Sequence, residues 1–232
     1  MRSDEIQEYI DRLNNNAFDE TIFLRPINKF VSYAKVWKKL PKPNDKPDFS
    51  LKPYSFYFIK NENETYIGAV LDMGFDLHWY INKDHRKKGY LIKSLKEVII
   101  PHLFDNKVGD NIIEISINKE EIGLINYLNS KRVAELSGFI STNKEQSNFA
   151  LKEETFDWNS ENTKEQTTYL TDDRLDILLT RLSYCHKDLM RISNELTMSY
   201  DNDKNLAALV KKIGYFGYKI EDLVFENREQ QN

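Results

Sequence analysis

Apolar positions along this chain switch between helical and strand spacing, and the switches mark its elements. Ile6, Tyr9, Ile10 and Leu13 recur at helical spacing, which predicts an amphipathic helix over residues 3–13, with Ser3 as N-cap and asparagines 14–16 ending it. Residues 21–27 (TIFLRPI) read as a strand, and Asn28 is placed to cap a helix carrying Phe30, Val31, Ala34 and Trp37. Prolines 41, 43, 47 and 53 then mark an extended loop.

Residues 54–59 and 65–73 are β-branched or aromatic, and the polar NENE segment between them suits a hairpin turn. Residues 75–82 form the next expected strand. A helix over 89–104 follows, with Leu91, Leu95, Val98 and Ile99 on one face and Pro101 expected to kink or end it early. Residues 111–118 (NIIEISIN) alternate cleanly as a strand, residues 120–136 read as a helix, and Gly138 suits the position just past its end. Residues 139–141 and 148–152 would close the sheet as a hairpin.

Composition shifts after residue 153. The segment 153–171 is polar and poor in aliphatics, as a linker would be. Beyond it Leu175, Leu182, Leu189 and Leu196 lie seven apart with Leu178, Cys185 and Ile192 between them, and Leu206, Ile213 and Ile220 repeat the pattern with Leu209, Phe216 and Leu223. An antiparallel helical hairpin is expected. The predicted fold class is α/β of the α+β kind: a mostly antiparallel sheet flanked by helices over residues 1–154, a linker over 155–171, and an α-helical hairpin over 172–228.

Charge and composition narrow the function. A net charge of −4 argues against nucleic-acid binding as a global property, so anion binding would have to be local. The single cysteine, Cys185, excludes an intramolecular disulfide or a cysteine-rich zinc site, and His78, His85, His102 and His186 show no ligand-like clustering with acids. No metal is expected. The N-terminus lacks a basic region followed by an apolar run, and no apolar run is long enough to span a bilayer, so a soluble cytoplasmic protein is expected with no membrane partner.

One stretch carries chemistry of its own. Between the strand over 75–82 and the helix from 89 lies a basic turn, Arg86, Lys87, Lys88 and Gly89. Orphan N–H groups, the positive dipole end and three cations would converge there as an anion cradle. On the strand, Asp76, His78 and Tyr80 share one face by the period-two rule, and His78 has the intrinsic pKa nearest neutrality.

Strand, basic-glycine turn, helix, strand, helix and the pair Gly138–Phe139 together resemble the GNAT N-acetyltransferase superfamily. Its acetyl-CoA signature is Arg or Gln, two residues, Gly, one residue, then Gly or Ala; Arg86, Lys87, Lys88, Gly89 and Tyr90 follow it, and Leu91 occupies the last position. Residues 130–139 (SKRVAELSGF) are similar to the family's second conserved helix. The resemblance covers residues 21–152 and implies acetyl transfer to an amine acceptor, a protein N-terminus or a small amine, in a ternary complex. It implies that Arg86 to Leu91 hold the pyrophosphate of acetyl-CoA and that the strand including Tyr80 and Ile81 pairs with pantetheine. His78 or Asp76 would be the general base. Many members use a tyrosine four residues before that glycine as general acid; Ala134 stands there, which leaves Tyr127 and Ser130 as substitutes. A GNAT-like module that binds coenzyme A without turnover, its hairpin serving assembly, is the alternative. A homodimer through the C-terminal helices would fit either.

Overall fold

The computed structural model describes residues 2–17, 20–48, 51–106, 111–158, 170–200 and 204–229. The chain divides into two compact units, Met1–Thr167 and Thr168–Asn232.

The first unit opens with helix α1 (Ser3–Asn14), which buries Ile6, Tyr9, Ile10 and Leu13 as their spacing requires. The N-cap is Arg2 rather than Ser3, and the Glu5 carboxylate accepts its N–H at 2.7 Å. Five strands follow in one antiparallel sheet, ordered as in the chain: β1 (Ile22–Pro26), β2 (Val31–Val36), β3 (Tyr54–Lys60), β4 (Tyr66–Asp72) and β5 (Leu77–Ile81).

The helix expected after Asn28 is instead β2. Asn28 Oδ1 accepts from the N–H groups of Phe30 and Val31, which turns the chain tightly, and β2 then pairs with β1 on one side and β3 on the other. Two ladders outweigh the weak helical spacing of Phe30, Val31 and Ala34.

The helix beyond β5 runs through Pro101 rather than ending before it. It comprises α2 (Tyr90–Ser94), a π-helical turn (Leu95–Ile99) and α3 (Ile100–Asn106). Proline has no N–H to give to the preceding turn, and the wider π turn stands immediately before the place where that bond would be missing. A second antiparallel sheet, ordered β6-β8-β7, contains β6 (Ile112–Ser116), β7 (Ile140–Ser141) and β8 (Asn148–Lys152), with α4 (Lys119–Leu136) between β6 and β7. α4 is broken at Gly123, whose φ of 76° is not helical.

The five-stranded sheet is covered on both faces. Phe56, Phe58, Ala69 and Leu71 meet α1, whereas Tyr57, Ile59, Ile67 and Val70 join a larger core with Leu95, Val98 and Ile99, with Tyr127 of α4, and with Ile113 and Phe149 of the second sheet. That core reaches past the expected boundary at 154. Phe156 is buried in it, and the rings of Phe104, Phe156 and Trp158 pack together. Residues 159–169 of the expected linker lie outside the described residues.

The second unit is a hairpin of α5 (Asp172–Ser199) and α6 (Lys204–Glu229). Arg228 near the end of α6 pairs with Asp172 at the start of α5 at 2.7 Å and donates to the Leu170 carbonyl, so the helices are antiparallel. The seam differs from the expected one. Leu175, Leu178, Leu182 and Leu189 are half-buried together with Leu179 and His186, and Ser193 and Val210 are buried, whereas Cys185, Ile192, Leu196, Leu209, Phe216 and Leu223 remain exposed. The imidazole of His186 packs against Gly214, where a Cβ would lie 2.8 Å from Cε1, so a glycine inside a helix is explained by a ring seated on it.

Candidate functional site

β5 is the strand around which the candidate residues gather. It pairs with β4 from Asp72–Leu77 to Gly68–Ile81 and lies next to β6 without a ladder between them. At Gly68 a Cβ would meet the Tyr80 carbonyl oxygen at 2.6 Å, so only glycine lets β5 close onto β4 there. The two sheets are joined at one end by Asp76, whose Oδ1 accepts from the N–H of Leu77 at 2.8 Å and from the N–H of Ser116 at 2.9 Å. Both β5 and β6 therefore keep backbone groups that no ladder between them uses.

At the far end of β5 the chain enters the basic turn. Asn82 Oδ1 accepts from the Asp84 N–H, a short 3-10 turn follows, and α2 starts with Gly89 as N-cap at φ 84°. Lys87 is also left-handed, with φ 60°. The left-handed Lys87 and Gly89 bend the chain sharply ahead of the first turn of α2, whose N–H groups have no partners inside the helix. A Cβ at Gly89 would meet nothing within 4 Å, so the space beside this backbone is open. Arg86, Lys87 and Lys88 are exposed. Arg86 is partly committed: Nε donates to the Ile81 carbonyl at 2.8 Å and the guanidinium lies 6.0 Å from the Tyr80 ring centre. The Tyr90 hydroxyl donates to Glu62 at 2.6 Å. Leu91 turns its side chain into the core, away from the turn.

At the joined end of β5 lies a cavity of about 250 Å³. Tyr33, Tyr57 and His102 supply rings, Arg25 and Lys35 cations, and Asp72, Asp76 and Glu114 carboxylates. The Tyr57 hydroxyl and His102 Nδ1 are 2.8 Å apart, and the Tyr33 ring lies 5.1 Å from Tyr57 and 5.3 Å from His102. Burial raises the Tyr57 phenol well above its usual range and lowers His102, so this pair is neutral at pH 7. Burial also lifts Asp76 above the ordinary carboxylate range, against the two backbone donors that hold it down.

The remaining sequence-predicted residues lie elsewhere. His78 and Tyr80 do share a face of β5, but it is the α1 face: the Tyr80 hydroxyl donates to Gln7 at 2.8 Å, and Leu71 opposite His78 belongs to the α1 core. Burial lowers His78, and its Nε2 is buried with no partner among the described residues. Asp76 stands ahead of the strand and turns to β6, so the expected trio is split. The Tyr127 hydroxyl donates to the Gln146 carbonyl at 3.0 Å, and neither Tyr127 nor Ser130 lines the cavity. Ala134 is fully buried. His102 and Tyr57 were missed because their approach joins α3 to β3 across 45 residues. The alternation of β3, which puts Tyr57 opposite to Phe56 and Phe58, was the one available signal.

Comparison of the chain with family models finds no match, and comparisons with curated proteins and with solved structures find none either. Among the described residues no group of three or more His, Cys, Asp or Glu could hold a metal ion, and no helix is long and apolar enough to cross a membrane.

Proposed function

We propose that the first unit is an acetyl-CoA-dependent N-acetyltransferase of the GNAT kind, acting on an amine acceptor by direct transfer. One observation carries this reading: β5 and β6 are neighbours fastened at Asp76 yet unladdered, and β5 leads straight into the open, basic N-terminus of α2. A five-residue strand spans roughly 17 Å, so β5 links an anion cradle to a polar cavity over about the length of an extended pantetheine arm. Free backbone groups on β5 would pair with that arm. The first-turn N–H groups of α2, with Lys87 and Lys88, would hold the pyrophosphate beside Gly89.

Asp72, Asp76 and Glu114 outnumber Arg25 and Lys35 in the cavity, which favours a cationic amine over an anionic acceptor, and the aromatic rings add to that preference. Asp76 is the proposed base, being the one sequence-predicted catalytic residue that lines the cavity; a carboxylate raised toward neutrality accepts an ammonium proton more readily. His78, on the opposite face of β5, is set aside.

Calorimetry with acetyl-CoA tests the cofactor half: the wild type binds near physiological cofactor concentration and Gly89→Glu abolishes binding. A wild type that fails to bind would falsify the assignment. An acceptor screen that detects free coenzyme A thiol tests the chemistry, with Asp76→Asn retaining cofactor and losing turnover. The buried Ala134, standing where a general acid is expected, favours a second reading as a module that binds coenzyme A without turnover. Binding without thiol release from any amine would select it.

A further inference from the structure

The cavity at the joined end of β5 is sorted by charge. Its cations, Arg25 and Lys35, stand on β1 and β2, and its carboxylates stand across the sheet: Asp72 at the end of β4, Asp76 ahead of β5 and Glu114 on β6. Lys35 lies opposite Ser55 of β3, and Ser55 lies opposite Asp72, so the three share one face in one row. Strands spaced about 4.8 Å put the Lys35 and Asp72 backbones roughly 10 Å apart.

Within that row the two signs do not meet. Lys35 Nζ donates to the Ser55 hydroxyl at 2.8 Å and lies 5.2 Å from the Tyr33 ring centre, and both groups are neutral. Asp72 accepts from the Gly74 N–H at 2.8 Å, and Asp76 accepts from the two N–H groups that join the sheets. Among the described residues, neither Lys35 nor any of these carboxylates forms an ion pair. With Nζ leaning onto Ser55, the gap left to Asp72 is about one strand spacing, ~5 Å, wider than a direct pair. The Tyr33 hydroxyl also donates to Ser55 Oγ, at 3.4 Å, so an ammonium and two hydroxyls converge on the β2 side of the gap. Such a set of donors suits a carboxylate, as the acidic side suits an ammonium.

A plain amine answers only half of this arrangement, because it pairs with the acids and leaves the Lys35 charge facing its own positive end. A molecule whose two charges lie a few bonds apart answers both halves. The cavity volume of about 250 Å³ falls below the roughly 300–1,000 Å³ of sites for drug-sized ligands, which suits a molecule of amino-acid size.

We infer that the cavity takes a small zwitterion, a free α-amino acid, with its carboxylate at Lys35, Tyr33 and Ser55 and its ammonium at Asp72, Asp76 and Glu114. The binding stands on the cavity alone; that the amino acid is an acetyl acceptor rests on the transferase reading above. On that reading its ammonium gives one proton to Asp76, the nitrogen bonds to the thioester carbon and the C–S bond breaks. A second proton passes from nitrogen to sulfur, which departs as the coenzyme A thiol.

Titrating the full-length protein, without acetyl-CoA, with the free L-amino acids and with their carboxamides tests this by ligand-detected NMR. At least one amino acid binds at millimolar concentration or below, and its carboxamide, which keeps the ammonium and lacks the carboxylate, binds about tenfold more weakly. Lys35→Met abolishes that difference while leaving the carboxamide affinity unchanged, and Lys35→Arg keeps it. No binding of any amino acid at millimolar concentration, a carboxamide that binds as tightly as its acid, or a Lys35→Met variant that still tells the two apart would each overturn the inference. Amino-acid binding by a protein without affinity for acetyl-CoA supports the zwitterion site and removes the transferase reading; acetyl transfer to amines with no amino-acid binding does the reverse.

Discussion

The two units use the same repertoire of apolar residues and bury it very differently. In β3, Phe56, Tyr57, Phe58 and Ile59 are all at most 1% exposed, because α1 covers one face of the sheet and the α2 to α3 helix covers the other. In α5 and α6 only Ser193 and Val210 are buried, because a two-helix hairpin covers one stripe per helix and nothing else. Layered burial gives the first unit an internal stability that the second must obtain from further packing.

Core substitutions should separate the units most sharply. Phe58→Ala removes a fully buried ring and should cost about 3–5 kcal/mol in urea unfolding followed by fluorescence, whereas Leu182→Ala, half-buried in the hairpin, should cost less than half as much. Equal losses would break the comparison. Gly68→Ala comes next, at about 1–3 kcal/mol, since the added Cβ meets the Tyr80 carbonyl oxygen and must push β5 off β4.

A pH titration probes the first unit more gently. His78 and His102 are both held below the usual histidine value of 6.5, so between that value and their folded pKa the unfolded chain binds more protons. Their contribution is complete above pH 6.5 and is lost as pH falls. Asp76, held above the usual carboxylate value, acts in the opposite sense as it takes up its proton in the fold. Melting temperature should therefore drop on acidification below 6.5, and His78→Leu should flatten the slope; an unchanged slope would mean that His78 takes up its proton equally in the folded and unfolded states.

The smallest expected effect lies in the hairpin. Gly214→Ala gains helix propensity but drives a Cβ into the His186 ring, so it should be close to neutral alone. Combined with His186→Ala it should gain up to about 1 kcal/mol in thermal unfolding followed at the helical band. A full gain in the single variant would show that the ring moves aside freely.

Much of the fold was legible in the residues. The hairpin of β3 and β4, the strands β5 and β6, the long helix between them and the paired C-terminal helices all follow from periodicity, since each has many residues voting for one spacing. Short segments with mixed spacing failed. Residues 30–37 satisfy a helical count, and only the neighbouring strands make β2 of them. Pro101 signals a break that the π turn averts. The polar composition after 153 hides Phe156 and Trp158, two rings enough to extend the core.

For the candidate site, the basic turn was readable because its parts are contiguous: three cations, a glycine and a helix start. The cavity was not, because its lining comes from six strands and a helix. Period two said that His78 and Tyr80 share a face of β5, and it says nothing about which face meets the cavity. That choice belongs to α1, which claims them by burying the sheet face on which they stand.

The sequence by itself determined the strand-to-helix turn with its open glycine, the alternation of β3 to β6 and two helices with heptad ladders. These depend on backbone preference and side-chain period, both local. Only the tertiary structure decided that Asp76 bridges two sheets, that Tyr57 meets His102, and that one apolar ladder of the hairpin is covered while its neighbour is not. Each of those requires residues far apart in the chain to arrive at one place, and period alone carries no information about arrival.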